Sequence, residues 1–215
     1  MELMDRRRLL MQIQTVDYIR DGLVLWLDAI DRGDTVGAWV DKVSGHVFQG
    51  VNDPAFGADY VATSQPDGSY LINDTFPAYS SAEATIELAI SYHTDSTQLV
   101  FMPKTSVGGI AFGLYNNTGA IWSSDSRRSI VTATGIKTAS VRIDLAVING
   151  LSATMSGGNV WNGGNVYNYI GRRQSGNTYT GKIHAIRVYN RQLSESEMLH
   201  NQKLDNKRFN LGLSI

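Results

Sequence analysis

The segment from Tyr179 to Phe209 constrains the fold most, because it joins a strand, a tight polar corner and a strongly signalled helix. Ser194 is a favourable N-cap residue and Glu197 stands three residues later, so together they predict a capping box. The residues that flank this cap have the spacing of a hydrophobic staple: Leu193 and Met198. We therefore predict a helix from about Glu195 to about Asp205.

The strand before this helix, Lys182–Asn190, contains a phase slip. Ile183 and Ala185 share one face, but the bulkier Ile186 and Val188 occupy the other. Either both faces of the strand are buried, or a β-bulge resets its register.

Alternation of apolar and polar residues predicts strands along most of the remaining chain. The clearest case is Thr85–Ser91, where Ile86, Leu88 and Ile90 share one face. A turn at Gln65–Gly68 predicts a hairpin between Tyr60–Thr63 and Ser69–Ile72. The other predicted strands are Leu23–Asp28, Gln98–Met102, Gly109–Tyr115, Ser129–Ala133, Val141–Ile148, Leu151–Met155 and Tyr167–Gly171, with a hairpin turn at Asn149-Gly150.

Composition agrees with many short strands joined by tight turns. The 215 residues include 21 glycines and only 4 prolines, and 18% are charged. We predict an all-β fold, a jelly-roll sandwich of two antiparallel sheets with an N-terminal helix and a short C-terminal helix. Residues 1–18 are predicted to form a helical arm, and residues 19–215 a single sandwich domain.

Charge and segment patterns exclude several partner classes. The net charge of −1 provides no field for nucleic acid, and no apolar stretch is long enough for membrane insertion. The chain has no cysteine, which excludes disulfides and thiol chemistry. Residues 1–18 carry Arg6–Arg8 among their apolar residues and do not resemble a secretion signal. That arm is either an edge-packed helix or a docking helix for a homo-oligomer or larger assembly.

Several motifs resemble laminin-G-like domains of the concanavalin A-like lectin/glucanase superfamily. Gly181–Ile183 and Ile186–Ser194, followed by Glu197, resemble the closing strand and corner of that family. Further similar pieces occur in the same order as in the family: Gly22–Asp28, Trp39–Gly45, Thr85–Glu87, Val147–Gly150 and Tyr169–Gly171. The resemblance covers roughly residues 21 to 209 and is of the style seen in gut bacteria and their phages. It implies a jelly roll whose first and last strands are adjacent.

No residue set predicts catalysis. The superfamily's glucanases place two carboxylates close together on one strand, whereas Glu83 and Glu87 would lie ~13 Å apart. Glu87 is therefore interpreted as a framework residue with a hydrogen-bonding role. The four histidines lack metalloprotease spacing and are interpreted as structural or solvated.

Two kinds of ligand site remain as expectations. Sugar binding needs aromatic surfaces beside amide and guanidinium groups, and loops on a rigid sandwich are the usual place for them. The candidates are Tyr115, Asn116, Trp122, Trp161, Asn162, Tyr167, Arg172 and Tyr179, whereas Trp26 and Trp39 are assigned to the core. Many superfamily members bind calcium, for which the acidic candidates are Asp28, Asp31, Asp34 and Asp41, although a solvated acidic loop is the favoured interpretation.

The sequence thus favours a non-catalytic recognition module that binds a glycan or another surface ligand and needs no cofactor. Its placement is expected to be extracellular or virion-associated, in a phage tail or fibre assembly. Two alternatives stay open: a divergent glycan-cleaving enzyme of the glucanase type, and a purely structural domain that oligomerises.

Overall fold

A computed structural model shows an all-β sandwich with a helix near the C-terminus. It describes residues 17–32, 36–64, 68–75, 83–93, 98–103, 111–115, 118–123, 126–131, 135–142, 144–154, 167–172 and 179–215. The predicted N-terminal helix lies almost wholly outside these residues. The described strands are β1 (Leu23–Asp28), β2 (Ala38–Val40), β3 (Val47–Val51), β4 (Ala55–Phe56), β5 (Val61–Thr63), β6 (Tyr70–Ile72), β7 (Thr85–His93), β8 (Gln98–Pro103), β9 (Ala111–Tyr115), β10 (Thr118–Ser123), β11 (Ser126–Val131), β12 (Thr138–Val141), β13 (Leu145–Ile148), β14 (Leu151–Thr154), β15 (Tyr167–Ile170) and β16 (Gly181–Tyr189), and helix α1 is Glu195–Arg208.

Two antiparallel sheets form the sandwich. The back sheet has the order β14-β13-β12-β7-β16-β5-β4, and β1 also pairs with β16. The front sheet has the order β11-β10-β9-β8-β15-β6-β3-β2. The first and last described strands are therefore neighbours, as the resemblance implies.

The phase slip in β16 has both of its predicted causes at once. Seven consecutive residues from Ile183 to Tyr189 are buried, so neither face is free. The register against β7 also shifts between Ile183 and Ala185, which leaves His184 as an extra residue between two paired ones.

The core fills the space between the sheets with apolar side chains from both. On β7, Ile86, Leu88 and Ile90 face this core, as the alternation predicts. Trp39 and Phe48 of the front sheet are fully buried in the same cluster. Trp26, by contrast, is buried on the outer side of β1, where the guanidinium of Arg20 and the ammonium of Lys42 lie 4.3 and 4.2 Å from the ring centroid. Trp39 thus lies in the core as predicted, whereas Trp26 is buried on the other face of its strand.

The predicted hairpin around Gln65–Gly68 is wrong. Its first strand, β5, belongs to the back sheet, where it pairs with β4 and β16. Its second strand, β6, pairs with β3 and β15 in the front sheet. Between Ser64 and Gly68 the chain therefore passes from one sheet to the other, and Val61 and Leu71 enter the core from opposite sheets.

Two further differences concern the middle of the chain. The predicted strand Val141–Ile148 is two strands, β12 and β13, which pair with each other after a reversal near Arg142. Strand β10 was not predicted, although it pairs with both β9 and β11. The Asn149-Gly150 hairpin is confirmed, with φ of 49° and 81° at its two turn residues and Ile148 paired with Leu151.

Helix α1 is confirmed with its predicted cap. The Ser194 hydroxyl accepts a hydrogen bond from the Glu197 amide, while the Glu197 carboxylate accepts one from the Ser194 amide at 2.7 Å. Leu193 and Met198 are fully buried in one cluster. The helix ends at Arg208 rather than Asp205; Arg208 pairs with Asp28 and Asp31, and Phe209 directly after it is buried against the back sheet.

Candidate functional site

A buried charge network lies between helix α1 and the back sheet. The Arg187 Nε donates to Glu87 at 2.9 Å, and its Nη1 donates to Asp205 at 2.9 Å. All three side chains are only 1% exposed. Desolvation alone would lower the pKa of Arg187, but Asp205 and Glu87 outweigh it and raise that pKa well above its ordinary value.

Neutral groups complete this network. Glu87 also accepts hydrogen bonds from Ser140 at 3.0 Å and from Asn201 at 2.8 Å. The Tyr18 hydroxyl donates to Asp205 at 2.9 Å, which places Tyr18 in the sandwich rather than in the N-terminal arm. Because Glu87 has no solvent access, its carboxylate acts as the framework residue predicted from the sequence.

A second cluster lies on the outer face of the front sheet and is called here the tyrosine–arginine face: Tyr70, Tyr169 and Arg172. Leu71 and Ile170 are paired and point into the core, so their neighbours Tyr70 and Tyr169 lie on the opposite face. The two tyrosine rings meet edge to face with centroids 5.7 Å apart. The guanidinium of Arg172 lies 4.7 Å from the Tyr70 centroid.

Such a face has the properties of a polar ligand platform. All three side chains are partly exposed, and they combine flat rings with guanidinium and phenol donors. The Arg172–Tyr70 contact fixes the orientation of a side chain that would otherwise be mobile.

The structure distributes the predicted sugar-binding residues unevenly. Arg172 lies in the tyrosine–arginine face, and Tyr167 precedes Tyr169 on β15. Tyr115 ends β9 opposite Thr118, and Trp122 is paired with Ala111 and Arg127 in β10 rather than in a loop. Tyr179 is fully buried in the core, and burial raises the pKa of its phenol. Three of the predicted residues lie outside the described ones: Asn116, Trp161 and Asn162.

The acidic candidates for calcium are engaged by protein groups. Asp28 and Asp31 both pair with Arg208, at 2.9 and 2.8 Å, and Asp31 also accepts from Lys42 at 2.6 Å. The bond from Lys42 is the largest cause of a lowered Asp31 pKa. Asp41 accepts from the Trp26 amide at 2.7 Å and caps its own turn. Asp34 lies outside the described residues, and among those described no group of three or more His, Asp or Glu side chains is placed to hold a metal.

A cavity of about 240 Å³ opens on the back sheet beside the C-terminal end of α1, and is called here the lysine pocket. Its walls come from β7, β16, the segments before β5 and before β12, and the chain after α1. They consist of Asp59, Tyr60, Ser91, Lys137, Lys182, His184, Phe209, Asn210 and Leu211.

The bulge in β16 shapes this pocket. His184, the extra residue of the bulge, is 4% exposed and its Nδ1 lies 2.6 Å from the backbone carbonyl of Asp59. A carbonyl can only accept, so Nδ1 carries the proton and Nε2 accepts from the Ser91 hydroxyl at 2.6 Å. Burial lowers the pKa of His184, which keeps the ring neutral near pH 7.

The sequence did not predict the tyrosine–arginine face or the lysine pocket as sites. The phase slip in β16 was a usable signal for the lysine pocket, since bulges often re-aim side chains. Tyr70 and Tyr169 stand beside core residues in short strands, but their meeting depends on the pairing of β6 with β15, which the sequence does not reveal.

Comparisons with protein-family models and with curated proteins found no match. Solved structures do share the fold. The sialidase of Trypanosoma rangeli has a TM-score of 0.56 at 14% identity, over 84% of this chain and 32% of that one. The binding domain of botulinum neurotoxin DC in complex with SialylT has a TM-score of 0.57 at 10% identity, over 86% of this chain and 52% of that one.

A third structure matches over nearly its whole length. Domain 4 of a GH43 extracellular arabinanase from Geobacillus stearothermophilus, in complex with arabinotriose, has a TM-score of 0.60 at 16% identity. The match covers 84% of this chain and 98% of that domain, whereas the chain spans only about a third of the sialidase and half of the neurotoxin fragment. At these identities the similarity establishes the fold alone. In the described residues no helix is long and apolar enough to cross a membrane. In its fold the chain is a β-sandwich like that of these three structures.

Proposed function

We propose that the protein is a non-catalytic recognition module that binds a glycan through the tyrosine–arginine face. The observation that carries the proposal is the fixed arrangement of Tyr70, Tyr169 and Arg172 on the exposed side of the front sheet. Two rings at an edge-to-face angle provide an apolar surface for sugar C–H groups, and the phenols and guanidinium provide hydrogen bonds to hydroxyls.

The similar structures support a glycan as the ligand class. Complexes with arabinotriose and with SialylT occur among them, on the same fold. Of the earlier candidates, Arg172 belongs to the face, and Tyr115, Trp122 and Tyr167 on β9, β10 and β15 are proposed to extend it across the front sheet. Asn116, Trp161 and Asn162 are proposed to contribute from adjoining loops.

The non-catalytic part of the proposal is supported by the burial of one close pair of carboxylates, Glu87 and Asp205. Glu87 and Asp205 approach a common partner, Arg187, but all three are sealed under the helix. A glycosidase needs a pair of carboxyls that reach the substrate, about 5–10 Å apart in an open cleft.

We further propose that the N-terminal arm, predicted as residues 1–18, anchors the module in a phage tail or fibre assembly, with Tyr18 itself part of the sandwich. Virion association is testable by mass spectrometry of purified particles, and oligomerisation by light scattering of the full chain against a chain that begins at Asp17. The truncation keeps Tyr18, because its hydroxyl bonds to Asp205.

A glycan array with the full chain tests the central proposal. Wild type should bind a defined set of glycans, and Tyr70→Ala and Arg172→Ala should each weaken that binding at least about tenfold. Arg20→Ala is the matched control, since it removes a guanidinium that stacks on Trp26 away from this face. A wild-type array without any bound glycan, or equal losses in all three variants, would overturn the proposal.

A further inference from the structure

The lysine pocket contains two lysine side chains without an acidic partner among the described residues. Lys137 and Lys182 both line the cavity, and neither forms an ion pair with any described acidic residue. Asp59 is the one acid among the lining residues, and its half-exposed carboxylate lies 4.0 Å from Nδ1 of neutral His184. The lining therefore carries a net charge of +1, which favours an anion.

Both lysines are held in place rather than extended into solvent. The Lys137 amide donates to the Asn149 side chain at 2.8 Å, and its ammonium donates to the Leu211 carbonyl. The Lys182 ammonium lies 4.2 Å from the centroid of the Tyr60 ring. Each ammonium has three protons, so donors remain for a ligand without loss of these contacts. Pre-placed charges of this kind lower the entropic cost of binding.

The other walls fit the remaining groups of a small sugar. The Ser91 hydroxyl donates its proton to His184, so toward a ligand its oxygen acts as an acceptor. An acceptor beside two cations suits a molecule that has hydroxyl donors as well as negative charge. Tyr60 and Phe209 supply apolar ring surface at the same cavity.

The size of the cavity suits one sugar residue. Its volume of about 240 Å³ lies just below the ~300–1,000 Å³ of pockets for drug-sized molecules. We propose that the lysine pocket binds a single sugar acid residue, with Lys137 and Lys182 pairing with the carboxylate and Ser91 accepting from a hydroxyl.

This proposal is independent of the glycan-binding face, because the two sites lie on different sheets and share no residue. Lysine pairs such as these also bind simple carboxylates, so the hydroxyl contact is the part that selects a sugar. The test must therefore separate the charge of the ligand from its hydroxyls.

Titration calorimetry of the full chain provides the test, with glucuronate, galacturonate and N-acetylneuraminate as probes, and with glucose and acetate as the neutral and the hydroxyl-free comparisons. We expect at least one sugar acid to bind and both comparisons to bind at least about tenfold more weakly. Lys182→Met keeps the aliphatic stem beside Tyr60 and should weaken the sugar acid by about tenfold to a hundredfold. Lys203→Met removes the same charge from an exposed position on α1 and should change nothing.

Several outcomes would overturn the proposal. These are no binding of any of the three acids, binding of acetate or glucose as tight as that of the acids, or equal losses in Lys182→Met and Lys203→Met. Tyr70→Ala should leave sugar acid binding unchanged, so that failure of the front-sheet proposal and failure of this one are read separately.

Discussion

Arg187 and Asp205 form two parallel hydrogen bonds across the boundary between β16 and α1, with Nη1 and Oδ1 2.9 Å apart. This bidentate pair joins the central strand of the back sheet to the helix that covers it. Glu87 on β7 accepts a hydrogen bond from Nε of the same guanidinium. The buried guanidinium of Arg187 thus connects three elements. Strands β7 and β16 already pair with each other, and the bonds to Asp205 join α1 to them.

Replacement of Arg187 by methionine should destabilise the fold by about 3–5 kcal/mol, because Glu87 and Asp205 would remain buried without their cation. Urea unfolding followed by fluorescence measures the change. Arg20→Met is the control, since Arg20 is 54% exposed and its ion pair with Asp17 is long at 3.9 Å, so it should shift stability by less than about 1 kcal/mol. Comparable losses in the two variants would contradict the docking role of the buried cation.

The buried residues at the start of helix α1 should also not tolerate a charged side chain. Leu193→Asp or Met198→Asp would place a carboxylate in the fully buried cluster with Tyr189 and Val147, at a cost of several kcal/mol. Leu151→Asp adds the same group where the side chain is 66% exposed and should be nearly neutral. Thermal unfolding distinguishes them. A stable Leu193→Asp protein that had lost ligand binding would show that this corner serves recognition rather than folding.

Features set by neighbours in the sequence were predictable. The capping box at Ser194, the alternation in Thr85–Ser91 and the Asn149-Gly150 turn each depend on residues within a few positions of one another. The phase slip in β16 was also visible, although only the structure shows that it places His184 at the lysine pocket.

Features set by contacts between distant segments were not predictable. The segment after Thr63 carries the same turn signal whether the strands on either side pair with each other or belong to different sheets. The distant partners decide, since β5 pairs with β16 and β6 pairs with β15. Tyr70 and Tyr169 meet because β6 and β15 are neighbours in the front sheet. Likewise Tyr179, which lies near a glycine-rich loop in the sequence, is drawn into the core by its place before β16.

The ion pair between Arg191 and the capping-box residue Glu197 should make the stability of the fold depend on pH in the acidic range. The Arg191 guanidinium, which donates to Glu197 at 2.6 Å, is the largest cause of a pKa lowered from 4.5 to about 2. A folded pKa below the unfolded one adds stability that is fully present above pH 4.5 and is lost as the pH falls through 2. Glu197→Gln should therefore be less stable than wild type at pH 7, by about 1 kcal/mol, with the difference shrinking steadily as the pH falls from 4.5 to 2.

Denaturant unfolding over this pH range measures the effect. Glu195→Gln removes a charge from the same turn but leaves the capping box intact, so its difference from wild type should be smaller at pH 7. A Glu197→Gln deficit that stayed constant from pH 7 to pH 2 would show that the carboxylate contributes through shape rather than charge.

The hairpin turn at Gly150 allows the cost of a steric clash with Ile215 to be separated from the cost of backbone strain. Gly150 and Gly45 both have positive φ, 81° and 75°, so alanine at either should cost about 1–2 kcal/mol of backbone strain. A Cβ at Gly150 would also lie 2.3 Å from Cγ2 of Ile215, whereas one at Gly45 would meet nothing within 4 Å. Gly150→Ala should therefore be the more destabilising in urea unfolding, and the added change Ile215→Gly should remove the excess. Equal costs for the two alanine variants would mean that the C-terminal residue does not pack against the turn.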